Sequence, residues 1–374
     1  MFSTHRLERL IEGQRAAGID CVALVPGPNL RYVSGLTLFT SERPIVAFFP
    51  LRGRPAILLP AFEQGQVARA VALRPGQADP IPYTDEEGYQ GAFRRAAELL
   101  ALEGRIAVEY RHMRVLELRA LQEAAPTASV VPLEQALPGL RMIKDQREIE
   151  AMREAIAITE RALHALVAQP LIGLSEREIA GRLEQEMKQA GAERVAFIIA
   201  VAGPNGADPH AAPSGRPVQA GELLTIDCGA MCDGYPADIT RTFVLGPTDD
   251  QNAFRTLRAI YETVRRANAA GNAAVRPGVA AEDVDRAARE VIDQAGYGAY
   301  FTHRTGHGLG LEGHETPYIV QGNAQQLEPG MVFTVEPGIY VPGLGGVRIE
   351  DDVVVTQEGM ECMTTFPREW TVIQ

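Results

Sequence analysis

Cysteine is scarce. Cys21, Cys228, Cys232 and Cys362 are the only ones in 374 residues, too few and too scattered for a disulfide framework, which fits a reducing compartment. Cys228 and Cys232 stand beside Asp227, but their spacing is wide for a zinc knuckle and no second cysteine pair exists, so all four are read as buried thiols. Basic residues are also in deficit. Against 48 acidic side chains there are 36 Lys and Arg, a formal charge of −12 that would repel nucleic acid and anionic membranes over most of the surface. No long hydrophobic run occurs either: the longest, VAFIIAVAG at 195–203, is too short to span a bilayer. The N-terminal FSTHRLERLIEGQRAAGID alternates charge with leucine at helical spacing and lacks the apolar centre of a signal peptide, so a cytoplasmic protein is expected.

With 46% hydrophobic residues the chain can bury a large core, in two domains or one large one. Up to about residue 135, helix and strand signals alternate: an amphipathic helix, then CVALVPGPN, IVAFFPLRG, PAILLP, a helix near EGYQGAFRRAAELLALEG, and RIAVEY. This predicts a small α/β domain. It carries no glycine-rich dinucleotide fingerprint and no phosphate loop, so an architectural or substrate-gating role is expected. Pro126, Pro132 and Pro138-Gly139 punctuate the chain after RIAVEY, and a long charged helix pattern, MIKDQREIEAMREAIAITERALHALV, begins just beyond. The expected domains are therefore 1–138 and 139–374.

The second domain contains itself twice. GLSEREIAGRLEQEMKQAG (173–191) and GVAAEDVDRAAREVIDQAG (278–296) share length, a leading glycine and a closing QAG at an offset of 105 residues. QAGELLTIDCG (219–229) and EPGMVFTVEPG (328–338) align without a gap at an offset of 109, placing Asp227 opposite Glu336. Two repeats are too few for a solenoid, so a duplicated half-domain with pseudo-twofold symmetry is predicted, each half supplying helices and then a sheet.

Four carboxylates close or interrupt apolar, β-branched stretches: Asp227 in LLTID, Asp238 in ADITRTFV, Glu336 in VFTVE and Glu350 in GVRIEDDVVV. Folding excludes charge from such places unless something compensates it. Asp233-Gly234 is a hairpin signal between the first two acids, and the Gly/Pro-rich PGIYVPGLGGVRI between the last two implies a second reversal. All four can then meet. Close together they would raise one another's pKa, whereas two divalent cations would hold every one ionised. Within RIEDD, strand alternation sets Glu350 and Asp352 on one face and Asp351 on the other, leaving the first two as alternatives. Three of the seven histidines crowd into HRTGHGLGLEGH: His303, His307 and His314, with glycines at 306, 308, 310 and 313 that free the backbone to approach a ligand closely. His307, at the centre, is the expected metal ligand. His210 lies in a polar loop after FIIAVAG, placed to reach over a site. Oxygen and nitrogen donors without cysteine favour Mn, Co, Fe or Zn with open positions, and hydrolysis as the chemistry.

TIDCGA, ADITRTF, GHGLGLEGHE, TVEPGIY and RIEDD together resemble the M24 metallopeptidases of pita-bread fold, in particular the Xaa-Pro branch of aminopeptidase P and prolidase. The resemblance runs from about residue 140 to the C-terminus, and the preceding segment is similar to a creatinase-type N-terminal domain. It implies an α+β pita-bread catalytic domain in which Asp227 chelates one metal, His307 and Glu336 the other, and Asp238 and Glu350 bridge both. It also implies that His210 and His314 stabilise substrate and intermediate, that His303 lines the proline pocket, that Arg348 supports Glu350, and that Glu336 shuttles a proton. Further implications are two divalent ions, manganese first with cobalt, zinc or iron as alternatives, peptide substrates with proline second, and a homodimer or tetramer. A dipeptidase is preferred to aminopeptidase P. It would need a cation for the proline carboxylate, for which Arg43 in FTSERP, reaching a partner subunit's site in a dimer, is the candidate, set against the plainer reading of a surface arginine before a proline. The alternatives are a catalytically inactive pita-bread binding module, marked by lost ligands, and a methionine aminopeptidase-like hydrolase, which usually lacks such an N-terminal domain. Creatinase lacks the full acid set.

Overall fold

The computed structural model describes residues 4–67, 77–137, 139–247 and 251–374. They divide into two compact units, Met1–Arg141 and Met142–Gln374. Pro138, on which the expected domain boundary falls, lies outside the described residues.

The first unit runs α1 (Thr4–Ala17), β1 (Cys21–Leu24), α2 (Pro28–Ser34), β2 (Val46–Pro50), β3 (Ala56–Pro60), α3 (Gln64–Val67), β4 (Asp79–Tyr83), α4 (Tyr89–Leu100), β5 (Arg105–Val108), α5 (Val115–Ala124), β6 (Ser129–Pro132) and α6 (Leu133–Ala136). Its sheet has the order β4-β3-β2-β1-β5-β6, with β2 antiparallel to both neighbours and the other pairs parallel. Strands buried on both faces, such as CVAL in β1, read as continuous apolar runs for that reason. The expected strand CVALVPGPN stops at Leu24, because Pro28 takes up the first turn of α2, where its missing N–H is no loss. Arg43 is already engaged in this unit. Its Nε and Nη2 donate to the two carboxylate oxygens of Asp85 at 2.8 and 2.9 Å, and the guanidinium lies over the Phe62 ring.

The second unit opens with α7 (Gln146–Val167). Its predicted start at Met142 is four residues early, since Asp145 and Glu148 form a reciprocal capping box that fixes the first turn. There follow α8 (Glu176–Gln189), β7 (Arg194–Ala202), β8 (Leu223–Cys232), β9 (Tyr235–Pro236), β10 (Ile239–Leu245), α9 (Gln251–Ala274), α10 (Ala281–Gln294), β11 (Gly306–Gly308), β12 (Glu315–Ile319), β13 (Val332–Val335), β14 (Gly338–Val341), β15 (Gly345–Arg348), β16 (Asp351–Val355), β17 (Met360–Cys362) and β18 (Val372–Ile373). One sheet is ordered β18-β10-β8-β7 and the other β12-β11-β13-β16-β17, while β14 and β15 form a separate hairpin. This is the pita-bread arrangement.

The duplication extends to individual hydrogen bonds. Gly173 N–H donates to Val218 and Gly278 N–H to Leu327, at 2.9 and 2.8 Å; Val218 returns a bond to Leu174, as Leu327 does to Val279. Gly221 and Gly330, the aligned glycines that enter β8 and β13, both have positive φ (86° and 90°), which only glycine adopts without strain. Both hairpin signals form turns: Asp233 and Gly234 each take positive φ, and β14 pairs antiparallel with β15. Cys21 and Cys228 are buried, whereas Cys232 and Cys362 are half-exposed because they sit near strand ends, so the expectation of four buried thiols holds for two.

Candidate metal centre

Equivalent strands deliver equivalent acids. Asp227 lies in β8, opposite Ile199 of β7 and Thr240 of β10, and Glu336 comes directly after β13. Asp238 immediately precedes β10, as Glu350 precedes β16. His307 occupies the middle of β11. Its register has a mate: Val201 pairs with Thr225 in the first half, and His307 N–H donates to the hydroxyl of Thr334, the residue aligned with Thr225. The symmetry position of the histidine is therefore an aliphatic.

These five side chains line a cavity of about 360 Å³, together with His210, His303, His314 and Arg348. His307 Nε2 stands 3.3 Å from Glu336 Oε1 and 3.7 Å from Asp238 Oδ2. Two groups of donor atoms each lie within 4.8 Å of one another, Asp227–Asp238–Glu350 and His307–Glu336–Glu350; a third joins Asp238 to His307 and His314. Glu350, Asp238 and His307 thus each belong to two groups. The ambiguity within RIEDD also disappears: Glu350 faces the cavity, Asp351 is buried in ion pairs with Arg241 and Arg368, and Asp352 accepts the Asp238 N–H at 3.0 Å. Burial opposes ionisation of Asp351, but the two arginines hold its carboxyl below the usual range.

Arg348 is a strut. It donates through Nη2 to Asp227 at 2.6 Å, through Nη1 to the Tyr340 hydroxyl at 2.8 Å and through Nε to Thr240 Oγ1 at 3.0 Å, while the Thr240 hydroxyl donates to Glu350. Since Tyr340 accepts from Arg348, its own proton goes to His303 Nε2 at 2.8 Å, and His303 Nδ1–H donates to the Arg304 carbonyl at 2.7 Å. Both ring nitrogens of His303 are then occupied, and it offers the cavity a surface only. His210 and His314 are exposed at the rim, the His314 ring 3.8 Å from that of His307.

The electrostatics call for a cation. Burial raises the carboxyls of Asp238 and Glu350 well above their usual range, and the surrounding acids push them further; burial moves Glu336 from its usual 4.5 up to about 8. Burial, with His314 beside it, lowers His307 to about 3, so its imidazole is neutral. Its Nδ1 meets the Gly308 carbonyl at 3.2 Å and takes the ring proton, which leaves the Nε2 lone pair aimed at carboxylate oxygens. Among the described residues, Asp227 Oδ1 is buried without a hydrogen-bond partner. Lone pairs turned on one another, and an orphaned buried carboxylate oxygen, are what a divalent metal bound by O and N donors would satisfy. The residues fit the group.

The glycines act differently from expectation. A Cβ on Gly306 would collide with the Thr334 carbonyl and one on Gly308 with that of Thr316, so these glycines let neighbouring strands close around a β-bulge at His307 rather than admit a ligand. Gly313 has open space. Gly306→Ala should cost about 3 kcal/mol by overpacking and displace His307, read as a lower melting temperature together with weaker metal retention. Cavity residues not singled out from the sequence are Phe197 and Ile199, which form an apolar wall from β7, Pro209 and Arg304. The period-two placement of Phe197 and Ile199 is a signal, hidden inside a continuous apolar run; Arg304 sits in HRTGHG, where the histidines dominate the pattern.

A duplicated sheet scaffold that gathers four carboxylates and a histidine in one cavity defines a metallohydrolase. The model of metallopeptidase family M24 matches residues 150–357, and that of the creatinase/prolidase N-terminal domain matches residues 6–143. The probable dipeptidase PepE of Mycobacterium tuberculosis is 38% identical over 361 residues, 96% of this chain and 93% of that protein. The crystal structure of a recombinant prolidase from Thermococcus sibiricus superposes with a TM-score of 0.92 at 34% identity over 100% of both chains. An X-Pro aminopeptidase from Thermotoga maritima gives a TM-score of 0.83 at 32% identity, covering 98% of this chain and 99% of that one. The chain belongs to metallopeptidase family M24.

Proposed function

We propose that this metallo-exopeptidase is an Xaa-Pro dipeptidase working with two divalent metals, manganese first, in a cytoplasmic homodimer or tetramer, with its catalytic domain starting at residue 139. The observation that carries the reading is the pair of three-residue donor groups joined by Glu350. The residues that would hold the ions are Asp227, Asp238, His307, Glu336 and Glu350. Bound divalent ions supply a water acidified to near neutrality and positive charge against the scissile carbonyl. The chain's own groups do the rest. Glu336 takes a proton and returns it to the leaving proline nitrogen. His314, with His210 beside the same cavity, donates to the carbonyl oxygen as it gains charge. Arg348 and Thr240 fix the carboxylates of Asp227 and Glu350 so that neither reorients during the reaction. Phe197 and Ile199 offer the proline ring an apolar wall.

Two relatives' names point to dipeptides, while the Thermotoga protein favours aminopeptidase P as the second reading. Metal-loaded enzyme should cleave Gly-Pro and leave Gly-Pro-Gly-Gly largely intact; rapid cleavage of the tetrapeptide would defeat the dipeptidase reading. Metal analysis after manganese incubation should find more than one ion per chain. Less than one would sink the metal assignment and revive a non-catalytic binding role.

A further inference from the structure

Arg304 is the second arginine on the cavity wall, and its surroundings differ from those of Arg348 in every respect that matters for ligand binding. Arg348 is buried and has all of its nitrogens committed to Asp227, Tyr340, Thr240 and the Pro209 carbonyl. Arg304 is half-exposed, and among the described residues it forms no ion pair. Its guanidinium lies 4.4 Å from the centre of the Tyr318 ring, and Nη2 donates to His314 Nδ1 at 3.1 Å. The aromatic face fixes the plane of the fork, and the His314 bond uses one of its five N–H groups.

The cavity's charge makes this cation consequential. Four carboxylates line it. A dipeptide brings its own carboxylate, which they repel, and burying that anion demands a cation on the same cavity wall. Arg304 is one imidazole away: His314, which it contacts, shares a 4.8 Å donor group with Asp238 and His307. Two extended residues span roughly 7 Å, so a dipeptide with its amine at the acids has its carboxylate in this region.

We propose that Arg304 binds the C-terminal carboxylate of the dipeptide and thereby sets substrate length, taking over the role that the sequence suggested for Arg43. The inference rests on the Xaa-Pro dipeptidase reading. A planar guanidinium pairs with a carboxylate through two parallel N–H bonds, whereas a longer peptide presents a neutral amide there and leaves the fork unmatched.

The test compares Gly-Pro with its neutral amide, Gly-Pro-NH2, on metal-loaded wild type, Arg304→Gln and Arg304→Lys. Wild type should prefer the acid in kcat/KM, and Arg304→Gln should lower that acid-to-amide ratio by roughly 100-fold, chiefly through KM for the acid. Arg304→Lys, which keeps the charge but not the fork, should restore part of the ratio. Calorimetric binding of L-proline against L-prolinamide should show the same loss of discrimination in Arg304→Gln with no turnover involved. An unchanged ratio in Arg304→Gln, or equal losses on acid and amide, would overturn the proposal, the second outcome reducing Arg304 to a prop for His314. Wild type that cleaves neither substrate yet still prefers L-proline would overturn the peptidase reading while leaving carboxylate binding by Arg304 standing.

Discussion

Glu336→Ala should hydrolyse Gly-Pro at no more than about one-thousandth of the wild-type kcat, because on the proposed assignment the substitution removes a donor to one metal and the proton carrier together. The fold should survive. Glu336 stands at the end of β13 with its side chain in the cavity, so truncation leaves no void in the packed core. Circular dichroism and gel filtration should match wild type, and activity lost together with the fold would leave the assignment without support. Glu336→Gln separates the two roles. It keeps the shape, cannot carry the proton and should be as inactive as the alanine variant, so retained turnover in either removes Glu336 from proton transfer.

Metal-free protein should lose stability as pH rises, the opposite of what most carboxylates do. Glu336 has its folded pKa raised from 4.5 to about 8, chiefly by burial, and Asp238 and Glu350 are displaced in the same direction. A carboxyl raised in this way contributes stability that is fully present below pH 4.5 and lost as pH climbs through about 8, since the folded state then has to surrender protons it prefers to keep. The melting temperature of chelator-treated protein should therefore fall by roughly 5 °C or more between pH 5 and 8.5. Manganese should abolish the fall and release protons as it binds, measurable in weakly buffered solution. A melting temperature that climbs over that window without metal would mean that the acids are not crowded as the distances indicate.

Much of this is legible in the sequence because duplication and strand-end acids are local patterns. Aligning TID with TVE places Asp227 and Glu336 in equivalent strands, and Asp233-Gly234 announces the turn that brings Asp238 back beside Asp227. The hidden part depends on contacts between distant segments. Strand alternation within RIEDD leaves Glu350 and Asp352 equivalent, and only the resemblance picks Glu350; the physical difference, Asp352 receiving the Asp238 amide, lies more than a hundred residues away in sequence. Arg43 looks available in the sequence and Arg304 incidental, because pairing with Asp85 in one case and stacking on Tyr318 in the other cannot be read from neighbours in the chain. The glycines of HRTGHG show their importance in the sequence but not its reason, since strand packing and ligand approach both require a missing Cβ.

Val201 stands where the other half carries His307. On the proposed assignment, a half-domain paired with an identical copy would offer oxygen donors alone, a set suited to hard ions such as magnesium or calcium. One imidazole in one half changes that. On that assignment it would make a single side of the centre softer, so that two ions would be ranked by the protein rather than taken up as a matched pair, with a preference among first-row transition metals entering through one residue on a scaffold otherwise indifferent to it.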